Sequence, residues 1–214
     1  MSKDGMFVPS PLYVICDAEA CRRAHWTLID FATACLSGGA RLLQVRSKGG
    51  PSGRLLEETA AIVERAAGTA QIIVNDRADV ARLAGAAGVH VGQEDLTPTE
   101  VRAILGEQAI VGWSTHTPAQ LDTSFAEPIS YAAIGPVFAT ATKSTGYEAL
   151  GLERVREAAS RAARHGLPLV AIGGITLDRA ESVLAQGAAA VAVIGDLLVT
   201  GNPEARVRAF LSRL

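Results

Sequence analysis

An amide and two cations stand at alternate positions in the segment "QVRSK", as Gln44, Arg46 and Lys48. They follow an apolar run typical of a β-strand, and the side chains of a strand alternate between its two faces. The spacing therefore predicts three polar side chains on one side of the strand, an arrangement that suits an anion. Two solvated cations at a polar strand end would give the same pattern, so the segment alone leaves both interpretations open.

Acidic residues follow the next two apolar runs. "IIVND" ends in Asn75 and Asp76, and Asp95 lies in "GQEDL" after the run that follows. Carboxylates that follow consecutive strands are neighbours, and hard oxygen ligands with open positions suit Mg²⁺. Capping of the following helices is the alternative interpretation for both, and the two roles can coexist. None of the four histidines has partners at the spacing of a zinc site.

Two further segments add hydroxyls, a histidine and a lysine. "GWSTHT" contributes Ser114 and also His116, which is a candidate acid/base or a hydrogen-bonded structural residue. "GPVFATATKSTG" resembles a nucleotide-binding P-loop, but threonine precedes its lysine where that motif requires glycine. Thr140, Thr142 and Lys143 are instead predicted to belong to an anion site of another kind.

Glycines follow two later apolar runs, in "AIGGI" and "VIGD". Gly173, Gly174 and Gly195 are predicted to form a phosphate pocket of backbone N–H groups, although tight turning alone would also require glycine. This pocket and the separate group of cations and carboxylates indicate two phosphorylated ligands, one of them a pyrophosphate. No nucleophile–base pair is evident. The chemistry favoured is electrostatic stabilisation of a departing pyrophosphate.

The elements that must position these residues are eight short apolar runs separated by amphipathic segments. Continuous apolar runs are typical of parallel strands buried on both faces. They predict an α/β fold, a single (β/α)8 TIM barrel over residues 1–214 with residues 1–10 as a flexible N-terminal extension; a doubly wound sheet is the alternative. The active site of a barrel lies at the C-terminal ends of its strands. The runs are "LYVIC", "RLLQVR", "QIIVND", "GVHVG", "AIVGWS", "YAAIGPVF", "PLVAIGGI" and "AVAVIG".

Capping residues predict where two of the helices begin. "TPTEVRAILG" has Thr97 as cap, Pro98 at the first helical position and Glu100 at the capping-box position, and it ends at Gly106. "PSGRLLEETAAIVERAAG" offers Ser52 as a cap.

Composition excludes several classes of function. The formal net charge is -2, so no basic excess indicates nucleic acid as a partner. No apolar run reaches the roughly 18 residues of a membrane span, and the first residues lack the apolar region of a signal peptide. Cys16, Cys21 and Cys35 are too few and too clustered for a disulfide framework, which predicts a cytoplasmic protein. The sequence leaves the oligomeric state open, and a homo-oligomer is compatible with it.

Five of these motifs, in this order, resemble the thiamine phosphate synthase family: Gln-x-Arg-x-Lys, "VNDRADVARLAGAAGVHVGQEDL", "GWSTHT", "GPVFATATK" and "AIGGI". The resemblance implies an Mg²⁺-dependent transferase that joins hydroxymethylpyrimidine pyrophosphate to thiazole phosphate, through a dissociative, carbocation-type mechanism. The implied contacts are Asp76 and Asp95 to Mg²⁺; Arg46, Lys48, Asn75, Ser114 and Lys143 to the pyrophosphate; Gln44 to the pyrimidine; and Thr140, Thr142, Gly173, Gly174, Ile194 and Gly195 to the thiazole phosphate.

One position departs from the family pattern, because Gly195 stands where the family usually has serine. The resemblance therefore predicts weaker binding of the thiazole phosphate. Two alternatives stay open: a thiazole tautomerase-like barrel that uses His116 as its acid/base, and a non-catalytic barrel that binds a thiamine precursor. Neither requires the paired carboxylates and the cations together. A phosphosugar barrel enzyme from tryptophan synthesis would need a carboxylate–lysine acid/base pair, which the early strands do not show.

Overall fold

A closed barrel of eight parallel strands, hydrogen-bonded in chain order with the last strand beside the first, forms the centre of the computed structural model. The structure describes residues 7–139 and 147–214. The strands are β1 (Leu12–Asp17), β2 (Leu42–Arg46), β3 (Gln71–Asn75), β4 (Gly88–Val91), β5 (Ile110–Thr115), β6 (Tyr131–Ile134), β7 (Leu169–Ile172) and β8 (Ala190–Val193). The predicted (β/α)8 barrel is confirmed, and the doubly wound alternative is wrong.

Helices connect the strands and cover the outside of the barrel. They are α1 (Ala18–Arg23), α2 (Leu28–Ser37), α3 (Ser52–Ala66), α4 (Ala78–Ala84), α5 (Pro98–Leu105), α6 (Pro118–Ser124), α7 (Gly151–Arg164), α8 (Leu177–Leu184) and α9 (Pro203–Leu211), with a 3-10 turn at Gly195–Leu197. In the part of the chain that the structure describes, none of these helices has the length and apolar character needed to cross a bilayer.

Alternate residues of each strand belong to different cores. Leu12, Val14 and Cys16 of β1 pack outwards against helix residues such as Phe31. Tyr13 and the other inward residues form a separate cluster that fills the barrel. Burial on both faces explains why the strands read as unbroken apolar runs.

Some predicted boundaries change in the structure. The predicted α5 cap is confirmed, since Thr97 and Glu100 form a complete capping box beside Pro98. Ser52 does not cap α3: it is the first helical residue, and the cap position belongs to Pro51, which makes no side-chain bond. Strand β6 is shorter than the run "YAAIGPVF", because it ends at Ile134 before a cis Gly135–Pro136 peptide bond.

The residues that precede β1 contact the interior of the barrel. Of the predicted extension 1–10, the structure describes residues 7–10, in which Pro9 is buried. The ring of Phe7 lies 5.6 Å from that of Tyr131, the first residue of β6. This part of the predicted extension therefore packs against the interior cluster of the barrel.

Candidate active site

A cavity of about 380 Å³ opens at the C-terminal ends of the strands and reaches into the barrel. Its walls combine interior residues such as Ala133, Val170 and Ala192 with residues that follow strands, such as Gly135 and Gly173. The two alanines leave space that larger side chains would fill. The volume is in the range of small-molecule sites, about 300–1,000 Å³.

The three polar residues near the end of β2 separate into two groups. Gln44 and Arg46 line the cavity, as the alternation predicted. Arg46 makes an ion pair with Asp17, the last residue of β1, whose carboxylate also caps α1 by accepting from Ala20 N. Lys48 lies beyond the strand end; its side chain is 58 % exposed, and its Nζ is 3.4 Å from Asp76 Oδ2. Asp17 thus holds the guanidinium of Arg46 in place, whereas Lys48 lies with the carboxylate of Asp76.

Asp76 and Asp95 come together, as predicted from their places after consecutive strands. Burial raises the pKa of Asp76, the hydrogen-bonded and charged carboxyl of Asp95 raises it further, and Lys48 partly offsets both effects. The backbone of Asp76 has φ +62°, a conformation that non-glycine residues rarely adopt, and its N–H donates to His90 O at 2.8 Å. Such a strained residue beside a second carboxylate is typical of a functional site.

Helix capping is not the role of either carboxylate. The cap position of α4 is Arg77, which makes no side-chain cap bond, and α5 is capped by Thr97. Asp95 instead accepts a hydrogen bond from Gly92 N at 2.8 Å within the preceding turn. The capping interpretation of Asp76 and Asp95 is therefore wrong.

The carboxylate pair fits a hard divalent cation. Both groups offer oxygen ligands; burial, and after it the carboxyl of Asp95, raises the pKa of Asp76, and a bound cation would offset both effects. Within residues 7–139 and 147–214, no group of three or more His, Cys, Asp or Glu side chains is placed to hold a metal. A metal bound by Asp76 and Asp95 would take its remaining ligands from water or a phosphorylated substrate, as Mg²⁺ commonly does.

Ser114 lies on β5 and is one end of a chain of hydrogen bonds inside the barrel. His90 Nε2 is 2.8 Å from Ser114 Oγ, and His90 Nδ1 is 3.0 Å from Tyr131 Oη. Tyr131 Oη is 3.0 Å from Tyr13 Oη, which accepts from Gln44 Nε2 at 3.0 Å. Two predicted site residues, Gln44 and Ser114, are thus joined by three side chains that were not predicted.

His116 also lines the cavity. Its Nδ1 lies 2.7 Å from Gly135 O, so this nitrogen carries the proton, and its ring stacks on Tyr147 with centroids 4.2 Å apart. These contacts fit the structural role that the sequence left open, and they also leave Nε2 as the basic nitrogen of the ring.

The glycines after β7 make a turn that no other residue fits. Gly173 and Gly174 have φ +104° and +62°, and a Cβ would come 2.6 Å from Pro136 Cα or from Ala139 O, respectively. The tight-turn interpretation therefore applies, and it is compatible with anion binding because the turn leads directly into α8. Both glycines line the cavity.

Two charged residues at this wall were not predicted. Arg179 of α8 lines the cavity, donates to Gly174 O at 3.1 Å, and has its guanidinium 4.7 Å from the Phe138 ring centroid. Asp196, beside the predicted Ile194 and Gly195, accepts from Leu177 N at 3.1 Å and pairs with Arg206 at 2.7 Å. Arg206 neutralises this carboxylate, so the wall keeps the positive charge of Arg179.

The remaining predicted residues divide into described and undescribed ones. Asn75, Ile194 and Gly195 line the cavity. Thr140, Thr142 and Lys143 lie outside the described residues.

Comparison with known proteins gives consistent matches. A family model described as thiamine monophosphate synthase matches residues 12–197. The thiamine-phosphate synthase of Koribacter versatilis (strain Ellin345) is 41 % identical over 205 residues, covering 95 % of this chain and 95 % of that protein. That of Anaeromyxobacter dehalogenans (strain 2CP-C) is 43 % identical over 174 residues, covering 81 % and 77 %. The solved thiamine phosphate pyrophosphorylase from Pyrococcus furiosus superimposes with a TM-score of 0.83 at 28 % identity, covering 94 % of this chain and 93 % of that one.

Proposed function

The chain belongs to the thiamine monophosphate synthase family, and from this premise we propose that it is an Mg²⁺-dependent thiamine-phosphate synthase. The proposed reaction couples hydroxymethylpyrimidine pyrophosphate with thiazole phosphate and releases pyrophosphate. The observation that supports it best is the presence of two charged sites at the same end of the barrel, one beside Asn75 at the edge of the cavity and one in the cavity wall. Asp76 and Asp95 lie with Lys48 after β2, β3 and β4, whereas the glycine turn and Arg179 lie after β7.

The leaving pyrophosphate is assigned to the first of these sites. Asp76 and Asp95 would hold Mg²⁺, which when bound neutralises negative charge on the pyrophosphate as it departs. Arg46 is oriented by Asp17 and reaches the cavity, where its guanidinium can bind phosphate oxygens in a fixed plane. Lys48 is exposed and flexible, and it can move from Asp76 to the pyrophosphate when a cation takes its place.

The thiazole phosphate is assigned to the second site. Its ligands are the backbone around Gly173, Gly174 and Gly195, with Arg179 as an added cation at the rim. The sequence predicted weak binding here because Gly195 replaces the family serine. We propose that Arg179 compensates for that hydroxyl, since a charged guanidinium binds a phosphate oxygen more strongly than a neutral hydroxyl does.

The mechanism we propose is dissociative. The bond between the pyrimidine methylene carbon and the pyrophosphate oxygen breaks first, and the bonding electrons leave with the pyrophosphate. The thiazole nitrogen then donates its lone pair to the resulting carbocation. The protein supplies alignment of two reactants in one cavity and stabilisation of the departing charge. Apolar walls formed by Ile15, Ala133 and Val170 limit access of water to the cation.

Direct assay with both substrates tests this proposal. Thiamine phosphate is expected to form with Mg²⁺, to cease with EDTA, and to return when Mg²⁺ is added in excess. Asp76→Asn is expected to lower the rate at least a hundredfold, because it removes one of two charged ligands. Asp79→Asn is the matched control, since Asp79 is exposed and pairs with Arg77 on the surface.

Two outcomes would overturn the proposal. If no condition yields thiamine phosphate, the chain is not a synthase. If instead the protein isomerises a thiazole carboxylate phosphate and the His116→Asn variant does not, the tautomerase alternative is correct. The placement of His116 in the cavity, with its Nδ1 held by Gly135 O, is the observation that keeps this second candidate in the test.

Compartment and assembly stay predictions. Cys16, Cys21 and Cys35 are unpaired and buried, which agrees with the reducing cytoplasm predicted from the sequence. A homo-oligomer also remains compatible with the chain.

A further inference from the structure

Five side chains from five strands form one continuous hydrogen-bonded path through the barrel. It runs from Gln44 through Tyr13, Tyr131 and His90 to Ser114, with four links of 3.0, 3.0, 3.0 and 2.8 Å. Gln44, Tyr13, His90 and Ser114 line the cavity, whereas Tyr131 does not and has no exposed surface. We call this set the interior relay.

The protons of the relay can be counted along its length. Gln44 Nε2 can only donate, so Tyr13 Oη accepts and turns its own hydrogen to Tyr131. Tyr131 then donates to His90 Nδ1, which leaves the ring proton on Nε2, and Nε2 donates to Ser114. Because Ser114 Oγ accepts the hydrogen bond from His90, its own hydroxyl hydrogen points away from His90.

The opposite direction of hydrogen bonding along the relay is less favourable as long as Gln44 donates to Tyr13. If Tyr131 donated to Tyr13, Tyr13 Oη would accept two hydrogen bonds and its hydrogen would have no acceptor within the relay. Tyr13 is only 1 % exposed, and an unsatisfied buried donor is costly. Burial also raises the pKa of both Tyr13 and Tyr131, so each phenol keeps the single proton that the count requires.

We propose that the interior relay fixes the hydrogen-bonding polarity of the two side chains at its ends, with Tyr13, Tyr131 and His90 as positioning residues. Gln44 then presents its Oε1 acceptor to the cavity, and Ser114 presents a donor. The acceptor of Gln44 suits an N–H donor of a heteroaromatic ring, and the donor of Ser114 suits either a ring nitrogen or a phosphate oxygen. Assignment of the ring to the pyrimidine substrate rests on the proposed function; the polarity of the relay does not.

Gly112 provides the space that the relay needs. It lies on β5 between His90 and Tyr131, its register partners on the neighbouring strands. A Cβ at this position would come 2.5 Å from His90 Nδ1 and closer still to the tip of the Tyr131 ring. A residue larger than glycine therefore cannot coexist with the Tyr131–His90 link in its present geometry.

The first test is the tautomer of His90 in the full-length protein without substrate, measured by ¹⁵N NMR of the imidazole ring. The proposal predicts a protonated-type shift for Nε2 and a lone-pair-type shift for Nδ1. The reverse pattern would overturn it. No substrate is present, so this result is separate from success or failure of the synthase assay.

The second test reverses the polarity from the far end of the relay. Gln44→Glu replaces a donor by a carboxylate that, once ionised, can only accept from Tyr13. Every link should then reverse, and the His90 proton should move from Nε2 to Nδ1. Gln108→Glu, the same change at an exposed position before β5, is the control and should leave the His90 shifts unchanged.

Removal of the Tyr131 hydroxyl shows whether the effect of Gln44→Glu reaches His90 through the relay or through a general change in structure. In Tyr131→Phe, the ring remains but the hydroxyl is lost, so Gln44→Glu added to this variant should no longer move the His90 proton. If His90 responds to Gln44→Glu equally with and without the Tyr131 hydroxyl, the relay is not the cause. In the coupling assay, Tyr131→Phe alone should raise the KM for the pyrimidine pyrophosphate up to about tenfold, the worth of one hydrogen bond, and leave the KM for thiazole phosphate unchanged.

Discussion

Replacement of Gly112 by alanine tests the packing of the barrel interior most directly. The added methyl group would lie 2.5 Å from His90 Nδ1, whereas ordinary contacts begin at 3.4 Å. Tyr131 cannot easily move aside, because its hydroxyl is bonded to Tyr13 and His90 and its ring packs against the tilted ring of Phe7. The strain must therefore appear as a displaced ring, a broken hydrogen bond or a shifted strand.

The expected loss of stability has two parts. Overpacking of a filled core costs about 1–3 kcal/mol, and leaving a buried hydrogen-bonding group unpaired costs about 1–3 kcal/mol more. Together they lower the free energy of unfolding by about 2–6 kcal/mol, a large share of the roughly 5–15 kcal/mol typical of a domain. With a urea m-value of about 3 kcal/mol/M, the midpoint should fall by roughly 1–2 M.

Urea denaturation followed by circular dichroism measures this change. Gly53→Ala is the matched control: Gly53 lies in α3, a Cβ there would have nothing within 4 Å, and alanine should raise stability by up to about 1 kcal/mol. The same substitution thus has opposite signs at the two positions. A Gly112→Ala protein as stable as the wild type would refute the described packing around Tyr131.

Two further predictions concern the second phosphate site and a helix cap. Arg179→Ala should raise the KM for thiazole phosphate about tenfold and leave the KM for the pyrimidine pyrophosphate unchanged, as measured by steady-state kinetics; Arg154→Ala, which breaks a surface ion pair, should change neither. Hydrogen bonds from the Thr97 backbone N–H and hydroxyl lower the pKa of Glu100, so its contribution to stability is present above the unfolded-state pKa and is lost as the pH falls through the folded-state pKa. The Glu100→Gln protein should therefore have a lower Tm than the wild type at pH 7, with a difference that vanishes in acid; a constant difference from pH 7 to pH 3 would contradict this assignment.

The barrel was predictable because its strands are buried on both faces. Each strand is therefore visible in the sequence as an almost unbroken apolar run. Few folds other than a (β/α)8 barrel contain eight such runs separated by helices. The end of β6 was not predictable, since "GPVF" continues the apolar run while the backbone turns at Gly135–Pro136. Apolar character reports burial, and buried loops are as apolar as buried strands.

The site was predictable where it depends on position after a strand. The places of Asp76, Asp95 and Arg46 near the strand ends were predicted this way, because the carboxyl ends of parallel strands meet at one end of the barrel. The choice between capping and a shared site for Asp76 and Asp95 required the structure, since both roles use the same residue type at the same place.

The interior relay could not be read from spacing. Tyr13 and Tyr131 are bonded to each other across 118 positions, and each lies in a run that otherwise indicates apolar core. One signal was present: a tyrosine or histidine inside a buried strand requires a hydrogen-bond partner. Tyr13, His90 and Tyr131 all lie in such strands, so hydrogen bonds among them could have been expected. Arg179 was missed for the opposite reason, because an arginine on a short helix usually faces solvent.

The relay also joins the two halves of the barrel through side-chain hydrogen bonds. Tyr13, Gln44 and His90 belong to β1–β4, whereas Ser114 and Tyr131 belong to β5–β8. The Tyr13–Tyr131, His90–Tyr131 and His90–Ser114 bonds all cross from one half-barrel to the other. A slip of one residue between β4 and β5 would turn these side chains outwards and strand polar groups on both sides of the seam. If the chain were divided between α5 and β5, the hydrogen bonds among these five side chains would therefore favour association of the two fragments in a single register.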